Sequence, residues 1–320
     1  MSRRSLLLAP ALGVLSKLGR PDNIANPAKT PITRILCGGD VMLSRYVGAR
    51  ARRLADPASP LRDLAPLFLE ADIAFVNLEA PFSDHGRPVS KGMVFKAEPE
   101  MVAALRVAGI GVVSTANNHA RDCGRYGVGF TLDWLAKNGI AAAGTGHTVE
   151  EAHQGAVIQR NGHRYGFLAY TYDQSNGNHP DQDDRIAMMY AKGADSARLA
   201  ADIASMRTRC DAVLVSMHAG GEYQKQPNPE QRRFAHAAID AGASVVIGAH
   251  PHIAQPIEGY RDGVIFYSLG NLVFDQIQRR ETQHGLIADL HFTGAKLTSY
   301  STIPVDIVNT VPRVAARPHS

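Results

Sequence analysis

An α/β fold is the class this sequence predicts, on three observations. Short apolar runs, such as 73–76, 212–215 and 244–247, alternate with longer segments of helical periodicity. Alternation of that kind builds a largely parallel sheet. The stretch 263–308 breaks it. That stretch is strand-rich, has glycine turns and shows no obvious helix, so it adds a second sheet or antiparallel strands. Polar residues also gather where the apolar runs end, and ligands of open α/β sheets bind outside the carboxyl ends of strands.

Taken in order, 32–36 reads as a strand ended by Gly38-Gly39-Asp40, and 61–70 reads as a helix. Segment 73–76 is a strand ending in Asn77-Leu78-Glu79. An amphipathic helix over 99–108 leads to a strand over 111–115, which runs into Asn117-Asn118-His119. Segment 127–137 is helical, and Asn138-Gly139 stops it. Asn161-Gly162, between Val157-Ile158 and Tyr165-Gly166-Phe167, is a two-residue hairpin turn. A helix over 196–209 and a strand over 212–215 ending near His218 follow. The helix over 229–241 starts with Asn228 as N-cap and Pro229 in its first position. The strand 244–247 then leads to His250.

The chain has 320 residues, 45% of them hydrophobic, which is enough to bury a core. No linker or repeat divides it, so 30–320 reads as one domain. The net charge is +4, and the densest basic clusters, Arg50-Ala51-Arg52-Arg53 and Arg279-Arg280, are short. A nucleic-acid partner is disfavoured, because no long basic stripe with aromatics is present. Cys37, Cys123 and Cys210 are odd in number and form no Cys-x-x-Cys, so they read as small core residues. Residues 1–29 read as an N-terminal extension. Its Ser2-Arg3-Arg4-Ser5-Leu6-Leu7 resembles a twin-arginine export signal, which implies an envelope or periplasmic location. The alternative is an extension of a cytoplasmic protein, since Lys17 ends the apolar run early and no clean Ala-x-Ala site follows.

Gly248-Ala249-His250-Pro251-His252 carries the strongest chemical signal. Imidazoles at i and i+2 of an extended chain project to one side, as in a metal-binding pair. Five strand ends deliver Asp40, Asn77 with Glu79, Asn118 with His119, His218, and His250 with His252. Singly, each is explained by a turn, a cap or a loop histidine. Together they point to a metal site of oxygen and nitrogen donors, suited to Mn, Fe or Zn. Two carboxylates and several imidazoles exceed one tetrahedral shell. Two ions sharing a carboxylate, about 3.5–4 Å apart, would use them all and generate hydroxide at neutral pH. Arg45, Lys91, Arg121 and Glu222 sit in or near the same loops. There, arginine can hold phosphate or carboxylate in bidentate fashion, although surface charge explains these residues nearly as well.

The ordered motifs Gly39-Asp40-Val41-Met42, Asn77-Leu78-Glu79, Asn117-Asn118-His119-Ala120-Arg121-Asp122, His218-Ala219-Gly220-Gly221-Glu222-Tyr223, His250-Pro251-His252 and Tyr267-Ser268-Leu269-Gly270-Asn271-Leu272-Val273-Phe274-Asp275 give the chain a likeness. It resembles the bacterial CapA (poly-γ-glutamate capsule) family, a branch of the calcineurin-like metallophosphoesterases. The resemblance implies two mixed β-sheets flanked by helices. It further implies Asp40 and His252 at a first divalent metal, Glu79 bridging, and Asn118, His218 and His250 at a second. His119, oriented by Asp122, would stabilise the transition state or protonate the leaving oxygen. Asn271 and Asp275 read as residues that support the site or as structural residues. One departure matters: the superfamily's first motif is Asp-x-His, and here the third position is Met42.

Two functions follow as expectations. One is a metal-dependent hydrolase of capsule synthesis, acting on an anionic phosphoester or polymer. The other is a non-catalytic part of an envelope polymer machine, binding poly-γ-glutamate or membrane synthase components.

Overall fold

A computed structural model describes residues 31–85, 93–172, 185–187, 189 and 195–316. The N-terminal extension and Lys91 lie outside them. Among the described residues, no helix is long and apolar enough to cross a membrane.

The first sheet is built on β1 (Ile32–Val41), β2 (Ile73–Leu78), β3 (Val112–Ser114) and β4 (Ala141–Ala143), all parallel. Helices α1 (Arg45–Arg53), α2 (Ala65–Leu69), α3 (Val102–Val107) and α4 (Gly124–Lys137) connect them. The chain then crosses α5 (Val149–Gln154) to the second sheet. That sheet holds β5 (Ala156–Arg160), β6 (His163–Thr171), β7 (Ala212–His218), β8 (Val245–Ala249), β9 (Ile257–Tyr260) and β10 (Gly263–Phe266), with α6 (Asp195–Arg207) and α7 (Pro229–Asp240) between strands. Strands β6, β7, β8 and β10 are parallel, and β5 and β9 are antiparallel edges.

The last strands return to the first sheet. β11 (Asn271–Val273) pairs with β1, while β12 (His284–Thr293), β13 (Lys296–Val308) and β14 (Val311–Val314) extend it antiparallel. Two mixed sheets flanked by helices result, as the resemblance implies. The tail adds strands to the first sheet, whereas the second sheet comes from the middle of the chain.

Strand alternation sorts the core into layers. Ile35, Cys37, Phe75 and Val112 face Phe167, Leu214, Ile247 and Phe266 between the sheets. Phe75 stacks on Phe167 with ring centroids 5.6 Å apart. Burying each such ring stabilises the fold by roughly 1.5–3 kcal/mol. Leu36, Ala74 and Val76 face outward under α1 to α4, and Val213, Val215 and Val246 face α6 and α7. All three cysteines are buried.

Local chemistry explains the element ends. Asn161 and Gly162 both take positive φ, 51° and 80°, as the expected hairpin turn requires. Asn228 and Gln231 form a full capping box at the start of α7. The strand expected to end at Gly38-Gly39-Asp40 instead runs on to Val41 as β1. Gly39 is needed there for a different reason. A Cβ on it would sit 1.9 Å from Gly270 O, and one on Gly248 would sit 1.9 Å from Tyr267 O. Segment 267–270 therefore lies tight against both β8 and β1, joining the two sheets where the site forms.

Candidate metal centre

β1 carries Asp40 one residue before its end, and β2 runs beside it in register, with Asp40 opposite Asn77. Glu79 follows β2, and its N–H donates to Val41 O at 2.9 Å. These bonds bring two carboxylates into one buried pocket. Both are fully enclosed.

The histidine pair reaches the pocket by a route that strand alternation does not foresee. β8 ends at Ala249, and His250 and His252 have φ of 96° and 60°. The backbone coils through the left-handed region, where strain of order 1–3 kcal/mol is stored at functional sites. The N–H of His250 donates to Asp40 Oδ2 at 3.2 Å, tying the coil to β1. His252 Nδ1 lies 3.4 Å from Asp40 Oδ2, and its Nε2 lies 3.8 Å from Glu79 Oε1. One ligand atom each from Asp40, Glu79 and His252 falls within 4.8 Å of the others.

A second group lies alongside. His218, at the end of β7, is fully buried, with Nε2 2.9 Å from Asn118 Oδ1. The Asn77 amide donates to Asp40 Oδ1 at 2.8 Å and meets His218 Nδ1 at 3.2 Å. His250 packs on His218 with ring centroids 4.8 Å apart. The sequence signal for Asn77 is its place at a strand end, but its link between Asp40 and His218 needs the register to be seen.

His119 lies beside the carboxylates. Its Nδ1 is 2.6 Å from Asp122 Oδ2, and its Nε2 is 4.0 Å from Glu79 Oε1. Asp122 Oδ2 also accepts the N–H of Phe95 at 2.6 Å, and the Phe95 ring stacks on His119 at 3.7 Å. The ring is thus clamped from its edge and its face.

Electrostatics separates these groups. Burial pushes Glu79 well above the ordinary carboxylate range, and the charge of Asp40 adds to it. Burial also works to raise Asp40, but the His252 hydrogen bond, the charges of His218 and His252, and the Asn77 amide hold it at about 2. Burial, then His252, lowers His250 to about 4. His218 is pushed well below the histidine range by burial and by His250. Burial raises Asp122, against the opposing pull of His119.

The donor set fits a divalent ion. Both Glu79 oxygens and His250 Nδ1 are buried with no hydrogen-bond partner. Natural folds satisfy such atoms, so the two Glu79 oxygens mark an unmet acceptor capacity. Asp40 and Glu79 also need a positive charge to share one pocket as anions.

Of the four charged residues expected in or near these loops, Lys91 lies outside the described residues and the other three differ in their settings. Arg45 has φ of 50°, lies 5.4 Å over the Phe95 ring, and pairs with Asp275 at 3.3 Å. Glu222 is exposed after β7, and its charge still acts on Glu79 and His250. Arg121 is half-buried in the loop after His119. Met42 is buried in the outer core, where its sulfur accepts from the backbone N–H and the hydroxyl of Ser44 at 3.2 and 3.0 Å.

A two-sheet α/β sandwich with carboxylates and imidazoles at its strand ends defines a class, and sequence comparison identifies the family. The model of the bacterial capsule synthesis protein PGA_cap matches residues 34–276, and the chain belongs to that family. The PGA biosynthesis protein CapA of Bacillus subtilis is 31% identical over 86% of this chain and 71% of its own length. The capsule biosynthesis protein CapA of Bacillus anthracis is 28% identical over 86% and 67%. A probable polyglutamine synthesis accessory protein of Mycobacterium tuberculosis is 29% identical over 76% and 75%. Among solved structures, TT1561 of Thermus thermophilus shares 13% identity, with a TM-score of 0.45 over 85% of this chain and 99% of its own.

Proposed function

We propose that this chain is a divalent-metal-dependent hydrolase of the metallophosphoesterase type, serving synthesis of an anionic capsule polymer. One observation carries the reading: the two orphaned, buried oxygens of Glu79, set between His252 and His119. Asp40, Glu79 and His252 would hold one ion. Asn118, His218 and His250 would hold a second, with Glu79 shared. The ions would supply a nucleophile at neutral pH and polarise the bond to be cleaved.

The chain's own residues would do the rest. The Nδ1–H of His119 donates to Asp122, which leaves Nε2 facing the pocket to exchange a proton with the leaving oxygen. Phe95 and Phe274 pack against His119 and His252 and limit water at those faces. Arg45, over the Phe95 ring that stacks on His119, would meet an anionic group of the substrate. The relatives' names speak of PGA, capsule and polyglutamine synthesis, which supports poly-γ-glutamate or a phosphoester intermediate as the proposed substrate. Export through residues 1–29 would bring the chain to membrane synthase components. Replacing Arg3 and Arg4 with Lys, and following location, tests that.

A non-catalytic role in binding polymer or partners is the second reading. It is favoured by Met42, whose sulfur is committed to Ser44 where the superfamily motif has a metal-binding histidine. A panel of phosphomonoesters, phosphodiesters and γ-glutamyl peptides, run on metal-loaded protein and on His119→Ala, decides between the two. Turnover that falls in the variant while its metal is retained supports the hydrolase. Metal without turnover on any substrate supports the binding role.

A further inference from the structure

We propose that Asn271 is a positioning residue for the metal centre, fixing the tautomer of His252 so that Nε2 is its ligand atom. The inference rests on the metal-centre reading above and adds a residue to it.

Asn271 opens β11 and sits opposite Asp40 in register on β1. That pairing puts its side chain beside the pocket, where Asn271 Oδ1 is 2.9 Å from His252 Nδ1. The two ends of an amide look alike, so its neighbours must decide which end faces the ring. Asn271 Nδ2 lies 3.0 Å from the backbone carbonyl of Thr282 and 3.1 Å from Gln276 Oε1. A backbone carbonyl only accepts, so the nitrogen end must face Thr282. The oxygen end therefore faces His252, and Nδ1 must carry the proton. The lone pair is left on Nε2, which points at Glu79 Oε1 from 3.8 Å.

The anchor is itself held. Gln276 Nε2 donates to the Tyr223 hydroxyl at 3.2 Å, and the Thr282 hydroxyl closes on the carbonyls of Gln276 and Arg279 at 2.7 and 2.8 Å. Asn271, Thr282 and His252 are all buried, so water does not replace a lost acceptor. The other acceptor near Nδ1–H is Asp40 Oδ2 at 3.4 Å, part of a carboxylate that is itself a proposed ligand. Without Asn271, the ring would compete with the ion for that oxygen. Partners behind a ligating histidine commonly govern affinity by roughly 10–100-fold.

The test uses the full-length chain, treated with chelator and titrated with Zn²⁺ by calorimetry, and ¹⁵N NMR of its imidazoles. Wild type is expected to bind Zn²⁺ and to show His252 as the Nδ1–H tautomer before metal is added. Asn271→Leu is expected to keep the wild-type circular dichroism, lose the single tautomer, and bind Zn²⁺ roughly 10–100-fold more weakly. Unchanged affinity in a folded Asn271→Leu, or an Nε2–H tautomer in wild type, overturns the proposal. The wild-type spectrum decides the matter even if the variant fails to fold. A wild type that binds no Zn²⁺ overturns the metal-centre reading instead, and the tautomer still tests the role of Asn271.

Discussion

His252 Nε2 faces Glu79 Oε1 across 3.8 Å, and neither oxygen of that buried glutamate has a hydrogen-bond partner. The arrangement is poor for a protein without metal and good for one that binds a cation.

Glu79 should destabilise the metal-free chain. Burial, then Asp40, raises its carboxyl, so the fold retains a proton that the unfolded chain has released. A raised carboxyl costs stability above its unfolded pKa, and the cost grows with pH until the folded group ionises too. Chelator-treated Glu79→Gln should melt several degrees above wild type at neutral pH and level with it near about pH 4. Added metal should reverse the order, because only wild type gains from binding. Thermal melts at two pH values, with and without metal, check this.

Metal binding should release a proton at neutral pH. Asp40, at about 2, is already ionised, and His250, at about 4, is already neutral. Glu79 is the group that must give up its proton to bind. Affinity should therefore rise with pH. Calorimetric enthalpies should differ between buffers of high and low ionisation enthalpy, and equal enthalpies would count against Glu79 as a ligand.

His119→Ala should separate chemistry from metal. The ring reaches the pocket only with Nε2, 4.0 Å from Glu79, and Nδ1 is committed to Asp122. Loss of a general acid costs about 10²–10⁴ in rate. Turnover should drop by that order while metal content, read by elemental analysis, is unchanged.

Gly39→Ala should break the junction of the sheets. Its Cβ would meet the Gly270 carbonyl at 1.9 Å, and backbone cannot give way there as a flexible side chain would. Overpacking of this kind costs about 3 kcal/mol. Denaturant melts should show that loss, along with weaker metal binding, because Gly270 leads directly into Asn271.

Much of this is legible in the residues. The apolar runs locate β2, β7 and β8, and Asn228-Pro229 locates the start of α7. The strand ends name Asp40, His119 and His252, which surround Glu79. Other features are hidden for physical reasons. Helix α1 contains four arginines and buries only Val47, Gly48 and Ala51, so its sequence reads as surface charge. Gly38-Gly39 looks like the end of a strand, because sequence cannot distinguish a glycine chosen for φ from one chosen for close approach. The spacing of the imidazole pair suggests an extended chain, whereas positive φ at both histidines coils it around Asp40. Asn77 and Asn271 act through partners 141 and 19 residues away, and no local pattern announces such contacts.

Asp40, Glu79 and His252 together form the proposed seat of a divalent ion. Elemental analysis of the full-length chain purified without chelator, beside Glu79→Ala, tests it most directly. Stoichiometric Mn, Fe or Zn is expected in wild type, and its loss in the variant. A folded wild type that carries no divalent metal, and takes up none when offered each of the three, would contradict it.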